Sequence, residues 1–199
     1  MIFLKHLLRP SLALLSLPLF LIACSGGTPP ESSFEYAVQG LYSAKLSDNG
    51  SLAIVGSINH GSSLWQASDN ARRFNWNHQQ GQLSEITNAA FSADLNYAIT
   101  ATPQTMVLWN AKNGASMAYW TAPSEILDIR LLPNAQLALL GLADHTAALF
   151  DVRNGGVKQV FYHQARVSSV DVNSRQNLVL TGSDDYNAKL WHLQTAQVL

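Results

Sequence analysis

The sequence predicts an all-β fold, a β-propeller built from four-stranded antiparallel blades. Three observations carry this: an internal repeat, short alternating strands punctuated by turn residues, and no helical periodicity from residue 34 onward. The repeat emerges when the aromatic residues that end apolar runs are aligned. Trp65, Trp109, Phe150 and Trp191 stand 44, 41 and 41 residues apart. Around them the text recurs as SLAIVGSINHGSSLWQASDN, LNYAITATPQTMVLWNAKNG, AQLALLGLADHTAALFDVRN and QNLVLTGSDDYNAKLWHLQT. Each segment holds an apolar run, small residues, a polar turn, a second apolar run and the aromatic residue.

A shorter alternating strand lies upstream of each segment, in YSAKLS, TNAAFSA, LDIRLLP and SSVDVNS. A fourth strand lies downstream, clearest in VKQVFYH at 157–163. Four short strands in each period of about 40–45 residues are what one blade needs. The turns have suitable chemistry. Asp48-Asn49-Gly50 separates first and second strands, and Asn113-Gly114 and Asn154-Gly155 separate third and fourth. The repeats fall at about 42–82, 83–125, 126–166 and 167–199.

Composition narrows the function. The chain has 199 residues, a net charge of −1, 47% apolar residues and 13% charged residues. There is no basic excess for a nucleic-acid partner and no acidic tail, so no nucleic-acid binding is expected.

The first 23 residues are of another kind. Lys5 and Arg9 precede the uncharged run SLALLSLPLFLIA, the charged and apolar regions of an export signal. The run ends in LIAC, residues 21–24, which resembles the lipobox of bacterial lipoproteins. That resemblance implies a diacylglyceryl group on the Cys24 thiol, cleavage just before it and acylation of the new N-terminus. This covalent lipid is the only bound group expected. Ser25, at the sorting position, implies the outer membrane facing the periplasm. Cys24 is the only cysteine, so an intramolecular disulfide is impossible. Residues 24–33, rich in Gly, Pro and Ser, read as a flexible tether to a propeller at 34–199.

In register, the four segments resemble the WD-repeat β-propeller family. That repeat has a histidine before its first strand, Ser-Gly-Ser in its second, an aspartate turn and a closing Leu-Trp-Asp. The fourth repeat matches best, with His163, Val167, TGSDD and KLW in order. The third has Phe150-Asp151 at its mark but keeps Asp144 and Thr146; the first has Asn59, and the second Pro103, where the turn aspartate belongs. No tryptophan of this chain is followed by aspartate. The resemblance implies that Asp185 joins His163, Thr181 or Ser183, and the Trp191 indole in a buried hydrogen-bond network. A catalytic reading of Asp184-Asp185 is weaker, because one tight turn does not converge two carboxylates on a cleft.

His60, His78, His145 and His192 have neither helical spacing nor a cysteine partner, so no metal site is expected. His60 and His145 fall in corresponding turns, which suggests exposure. Trp76, Trp120 and Tyr119 lie in fourth strands, where they either pack between blades or form an exposed patch for a partner. The family usually closes seven blades, and residues 31–36 stand where a ring-closing fourth strand would precede the first repeat. The sequence is therefore expected to be the N-terminal part of a protein of about 300 residues or more; a four-bladed ring is the alternative.

The expected function is a non-enzymatic, membrane-anchored scaffold for unidentified envelope proteins. The alternative is a propeller enzyme or ligand sensor using the central channel, near Tyr42, Thr87 or Asn88, and Asp128.

Overall fold

The computed structural model describes Ser33, Glu35, Tyr36 and residues 40–199. The leader at 1–23, Cys24, and the tether apart from Ser33 lie outside the described residues.

Among the described residues, fifteen strands form four antiparallel sheets in chain order. Blade 1 comprises β1 (Leu41–Leu46), β2 (Leu52–Ser57), β3 (Gly61–Gln66) and β4 (Ala71–Trp76). Blade 2 comprises β5 (Asn88–Phe91), β6 (Tyr97–Ala101), β7 (Thr105–Asn110) and β8 (Ser116–Thr121). Blade 3 comprises β9 (Ile126–Leu131), β10 (Leu137–Leu142), β11 (Thr146–Asp151) and β12 (Val157–Tyr162). Blade 4 has β13 (Val167–Asn173), β14 (Leu178–Ser183) and β15 (Ala188–His192), beyond which Trp191 bridges to Val198. No helix occurs among the described residues.

The turns repeat in conformation as well as in position. The first-to-second-strand turns each place one residue at positive φ: Gly50 (70°), Leu95 (56°), Ala135 (50°) and Asn177 (54°). Only the first and last carry the residue types that favour this region. Gly114 and Gly155 supply the left-handed residue in the third-to-fourth-strand turns, at 76° and 83°.

Each of the first three blades buries one face of its two central strands against the blade that follows. The cross-strand pair on that face is Ile54–Leu64 in blade 1, Ile99–Leu108 in blade 2 and Leu139–Leu149 in blade 3. All six side chains are buried. Beyond each pair sits a small residue, Gly56, Ala101 or Gly141, where the next blade approaches most closely. A Cβ on Gly141 would lie 2.7 Å from the Val167 carbonyl oxygen, and one on Gly56 would collide with the Ile86 carbonyl oxygen. Polar ties run alongside: Ser43 Oγ donates to the Ile86 carbonyl (3.0 Å), and the Val170 N–H donates to the Asp128 carboxylate (3.0 Å).

The outer edge of each interface is aromatic. Trp76 stacks on Trp109 at 5.1 Å and donates its indole N–H to the Gly114 carbonyl (3.1 Å). Trp120 packs on Phe150 at 6.1 Å and donates to the Val152 carbonyl (3.0 Å), and Phe161 meets Trp191 at 5.6 Å. Tyr36 repeats the arrangement on blade 1. Its ring meets Trp65 edge-on at 4.7 Å, and its hydroxyl donates to Asn70, in the corresponding turn, at 3.0 Å. Tyr36 thus occupies the place that the outer-strand aromatic of a preceding blade takes elsewhere. Trp76 and Trp120 pack between blades, whereas Tyr119 is exposed beside Met117 on the outer edge of blade 2.

Candidate functional site

The geometry that gathers most of the motif residues lies where the β12–β13 connection meets blade 4. Thr181 and Trp191 project from the same face of β14 and β15, because Val179 is the cross-strand partner of Trp191 and Thr181 lies two residues further on. The Trp191 indole N–H donates to Thr181 Oγ1 at 2.8 Å. His163 Nε2 lies 2.7 Å from the same hydroxyl, and His163 Nδ1 lies 2.9 Å from Asp185 Oδ2. An indole only donates and a carboxylate only accepts, so with a neutral imidazole between them the ends set the direction. Trp191 gives to Thr181, Thr181 gives to His163 Nε2, and the His163 Nδ1–H gives to Asp185.

Asp185 also receives the backbone N–H groups of Gln164 (2.9 Å) and Asn187 (3.0 Å). These bonds, the Gln164 N–H foremost, hold its carboxyl well below the usual carboxylate range despite its burial. Ser183 stands beside the relay, giving its hydroxyl hydrogen to the Ala165 carbonyl (3.1 Å) and accepting the Asp185 N–H (3.2 Å). Asp184 is exposed and lies 3.9 Å from Arg166. The two aspartates therefore have separate partners and do not act as a pair.

A second relay, not anticipated from the sequence, lies in blade 2. The Trp109 indole donates to Thr100 Oγ1 at 2.8 Å, and His78 bridges Thr100 (3.0 Å) and Thr105 (2.7 Å). Thr105 contacts the Thr102 hydroxyl at 2.8 Å, so hydroxyls end this chain where a carboxylate ends the other. With no carboxylate opposite its ring, burial pushes the His78 pKa down to about 4. The available signal was the matched placement of Thr100 and Thr181 ahead of their tryptophans.

Blades 1 and 3 resolve the same need differently. Blade 3 has Leu140 at the threonine position and Phe150 at the tryptophan position, which removes both the donor and its acceptor. Its Asp144 serves its own turn, accepting the Thr146 hydroxyl at 2.6 Å. Asp151 instead binds the Arg153 and Asn154 N–H groups, and the Asn154 bond leads in lowering its pKa. In blade 1, Val55 replaces the threonine and Trp65 donates to Ser63 Oγ at 2.6 Å. Beside it is a polar cavity of about 300 Å³ lined by Ser57, His60, Ser62, Arg72 and Asn77, where blade 4 carries its relay. His60 and His145 are exposed turn residues.

The candidate channel residues do not gather into one polar centre. Tyr42 is exposed, Thr87 bonds the Ala101 carbonyl, Asn88 bonds Thr87, and Asp128 is engaged by Arg130 (2.7 Å) and the Val170 N–H. A groove of about 240 Å³ instead follows the far ends of the innermost strands, lined by Lys45, Asp48, Arg130 and Asp171 among others. Among the described residues, no three His, Cys, Asp or Glu side chains form a metal-holding group.

Stacked antiparallel blades, three of them four-stranded and two of them fastened by Trp–Thr–His relays, define the class of fold. Residues 155–192 match the family described as "WD domain, G-beta repeat", which supports a WD-repeat reading. The chain is 27% identical over 78% of its length to the human angio-associated migratory cell protein, covering 36% of that protein. It is 23% identical over 86% of its length to the Dictyostelium discoideum U5 small nuclear ribonucleoprotein 40 kDa protein, covering 50% of it. It is 25% identical over 60% of its length to the Saccharomyces cerevisiae U3 small nucleolar RNA-associated protein 12, covering 13% of it. The chain thus spans half or less of the length of these relatives.

The His78 relay makes stability depend on pH. Unfolded, His78 titrates near 6.5; folded, it titrates near 4. The unfolded state binds the proton first, so stability is full above pH 6.5 and falls as pH drops toward 4, by at most about 3 kcal/mol. Denaturant unfolding across this window measures the slope. His78→Gln is expected to flatten it, and an unchanged slope would contradict the assignment.

Proposed function

We infer that this protein is a lipid-anchored, periplasm-facing scaffold on which envelope proteins assemble, with no catalytic role of its own. The observation that carries this reading is the use made of the motif residues. His163, Thr181, Asp185 and Trp191 are consumed in fastening one blade, and the exposed turns and outer strands remain for contact. Two relatives are named for ribonucleoprotein or RNA-associated assemblies, in keeping with an interaction module. Attachment rests on the LIAC sequence and Cys24. Two or three acyl chains would anchor the chain stably, where one would hold only marginally.

The test is metabolic labelling with a clickable fatty acid, followed by crosslinking and affinity capture from envelope extracts. The wild type is expected to take up label and bring down envelope proteins, and Cys24→Ser to lose the label and leave the membrane fraction. Label persisting in Cys24→Ser would overturn the anchor, and a bait that captures nothing would overturn the scaffold. The groove at the inner strands supports a second reading, a sensor for a small ligand bearing both charges. A ligand-induced rise in Tm that Arg130→Ala abolishes would support it.

A further inference from the structure

Blades 1 to 3 each end in an outer strand whose edge runs along the rim of the fold, and the three edges differ in charge. β4 carries Arg72 and Arg73, and β12 carries Lys158. Charged side chains, lysine above all, guard an edge strand against pairing with a foreign strand. β8, with the sequence SMAYWT, carries no charge and no proline. Its Met117 and Tyr119 are 45% and 42% exposed. β8 belongs to the second blade, which packs against blade 1 on one side and blade 3 on the other. Its edge is therefore independent of what adjoins the first and last sheets.

The edge also has main-chain groups to offer. Thr105 turns both of its own toward Thr102, taking the Thr102 N–H on its carbonyl (2.9 Å) and giving its N–H to Thr102 Oγ1 (2.9 Å). Its partner across the ladder is Thr121, which exchanges no bond with it and so points its N–H and C=O outward. Two residues back, Tyr119 opposite Val107 is oriented in the same way. The two ends of the strand carry opposite charge. Exposed Lys112 lies in the turn before β8, and an Arg153 guanidinium nitrogen stands 3.9 Å from the Met117 sulfur. Exposed Glu125 follows the other end. Among the described residues, neither Lys112 nor Glu125 forms an ion pair. A strand that is uncharged along its length, basic at its start and acidic past its end is complementary to an antiparallel copy of itself.

We propose that β8 pairs edge to edge with β8 of a second copy of this chain, antiparallel and with Tyr119 opposite its counterpart. Two four-stranded blades then form one continuous sheet across a two-fold axis, an isologous contact that closes at two copies. The outward N–H and C=O of Tyr119 in each copy bond one another. Met117 comes beside Thr121 of the other copy, and the Lys112 end beside the Glu125 end. The same pairing through β4 would set Arg72 and Arg73 of one copy against those of the other, which is unfavourable. The contact needs neither the lipid anchor nor an envelope protein, so it stands or falls apart from the scaffold reading.

Sedimentation of the full chain in detergent, from low to high micromolar concentration, tests the proposal. The wild type is expected to pass reversibly from one copy to two and no further. Tyr119→Lys opposes two like charges at the axis, and Thr121→Pro removes an outward N–H that the blade itself does not use. Each is expected to stay monomeric. Tyr119→Glu is likewise expected to be monomeric alone and to form a one-to-one dimer when mixed with Tyr119→Lys. Tyr162→Lys, on the β12 edge, is expected to dimerise like the wild type. All three substituted positions are exposed, and unchanged circular dichroism confirms folding. A wild type that stays monomeric, dimers that survive Tyr119→Lys and Thr121→Pro, or a dimer lost in Tyr162→Lys would each overturn the proposal. So would a lysine–glutamate mixture that stays monomeric, or an edge that takes only an extended peptide of another protein.

Discussion

Replacing Thr181 with valine is expected to remove about 3 kcal/mol of stability and to lower Tm by roughly 10 °C. Valine fills the same volume, so packing changes little. What goes is the hydroxyl that accepts from the Trp191 indole and donates to His163. Both partners are buried, Trp191 at 5% exposure and the His163 side chain at 0%, so water cannot replace the bond. Each orphaned group then costs its desolvation, about 1–3 kcal/mol. Thr181→Ser keeps the hydroxyl and is expected to lose under about 1 kcal/mol, chiefly the methyl packing. Thermal and denaturant unfolding read both variants, and a serine variant as unstable as the valine one would point to packing in place of hydrogen bonding.

Gly141→Ala is expected to cost about 3 kcal/mol, while Gly182→Ala, at the corresponding place one blade later, is nearly neutral in the chain comprising residues 1–199 alone. At Gly141 the new methyl would meet the backbone carbonyl of Val167 at 2.7 Å and a methyl of Val170 at 3.2 Å. A backbone oxygen cannot swing aside, so β13 must move and the Leu139–Val170 interface must loosen. At Gly182 the nearest atoms are Ser169 Cβ at 3.7 Å and Ser169 O at 4.0 Å, ordinary contact distances. Neither glycine has positive φ, so the contrast isolates inter-blade approach from backbone conformation. Equal losses at the two sites would show that glycine matters within the blade and not between blades.

The blades were legible because their marks are local. Trp65, Trp109, Phe150 and Trp191 end their third strands in equivalent positions, and Asn-Gly turns punctuate the sequence at 113–114 and 154–155. The blade 4 relay was legible for the same reason, since TGSDD and KLW place Thr181, Asp185 and Trp191 in one short stretch, with His163 just before the blade's first strand. The blade 2 relay was hidden by Pro103 at the aspartate's place, by a longer connection over 77–87, and by a change of final acceptor to Thr105. Leu95 and Ala135 carried no turn signal, although their backbones adopt the same left-handed conformation as Gly50. The reason for glycine at 141 is tertiary, because the carbonyl it admits belongs to the next blade, while glycine at 56 makes room both for the Ile86 carbonyl and for the Ser43 hydroxyl of its own blade. The division between buried Trp76, half-buried Trp120 and exposed Tyr119 was likewise invisible until the strands were stacked.

The most direct test of the relay is a double-mutant cycle on Trp191→Phe and Thr181→Val, read by denaturant unfolding. If the indole and the hydroxyl share one buried bond, removing the donor makes the acceptor's loss cheaper, with a coupling of about 1–2 kcal/mol. Losses that add to within a few tenths of a kcal/mol would contradict the account, leaving the aspartate turn and the tryptophan as separate features of the blade.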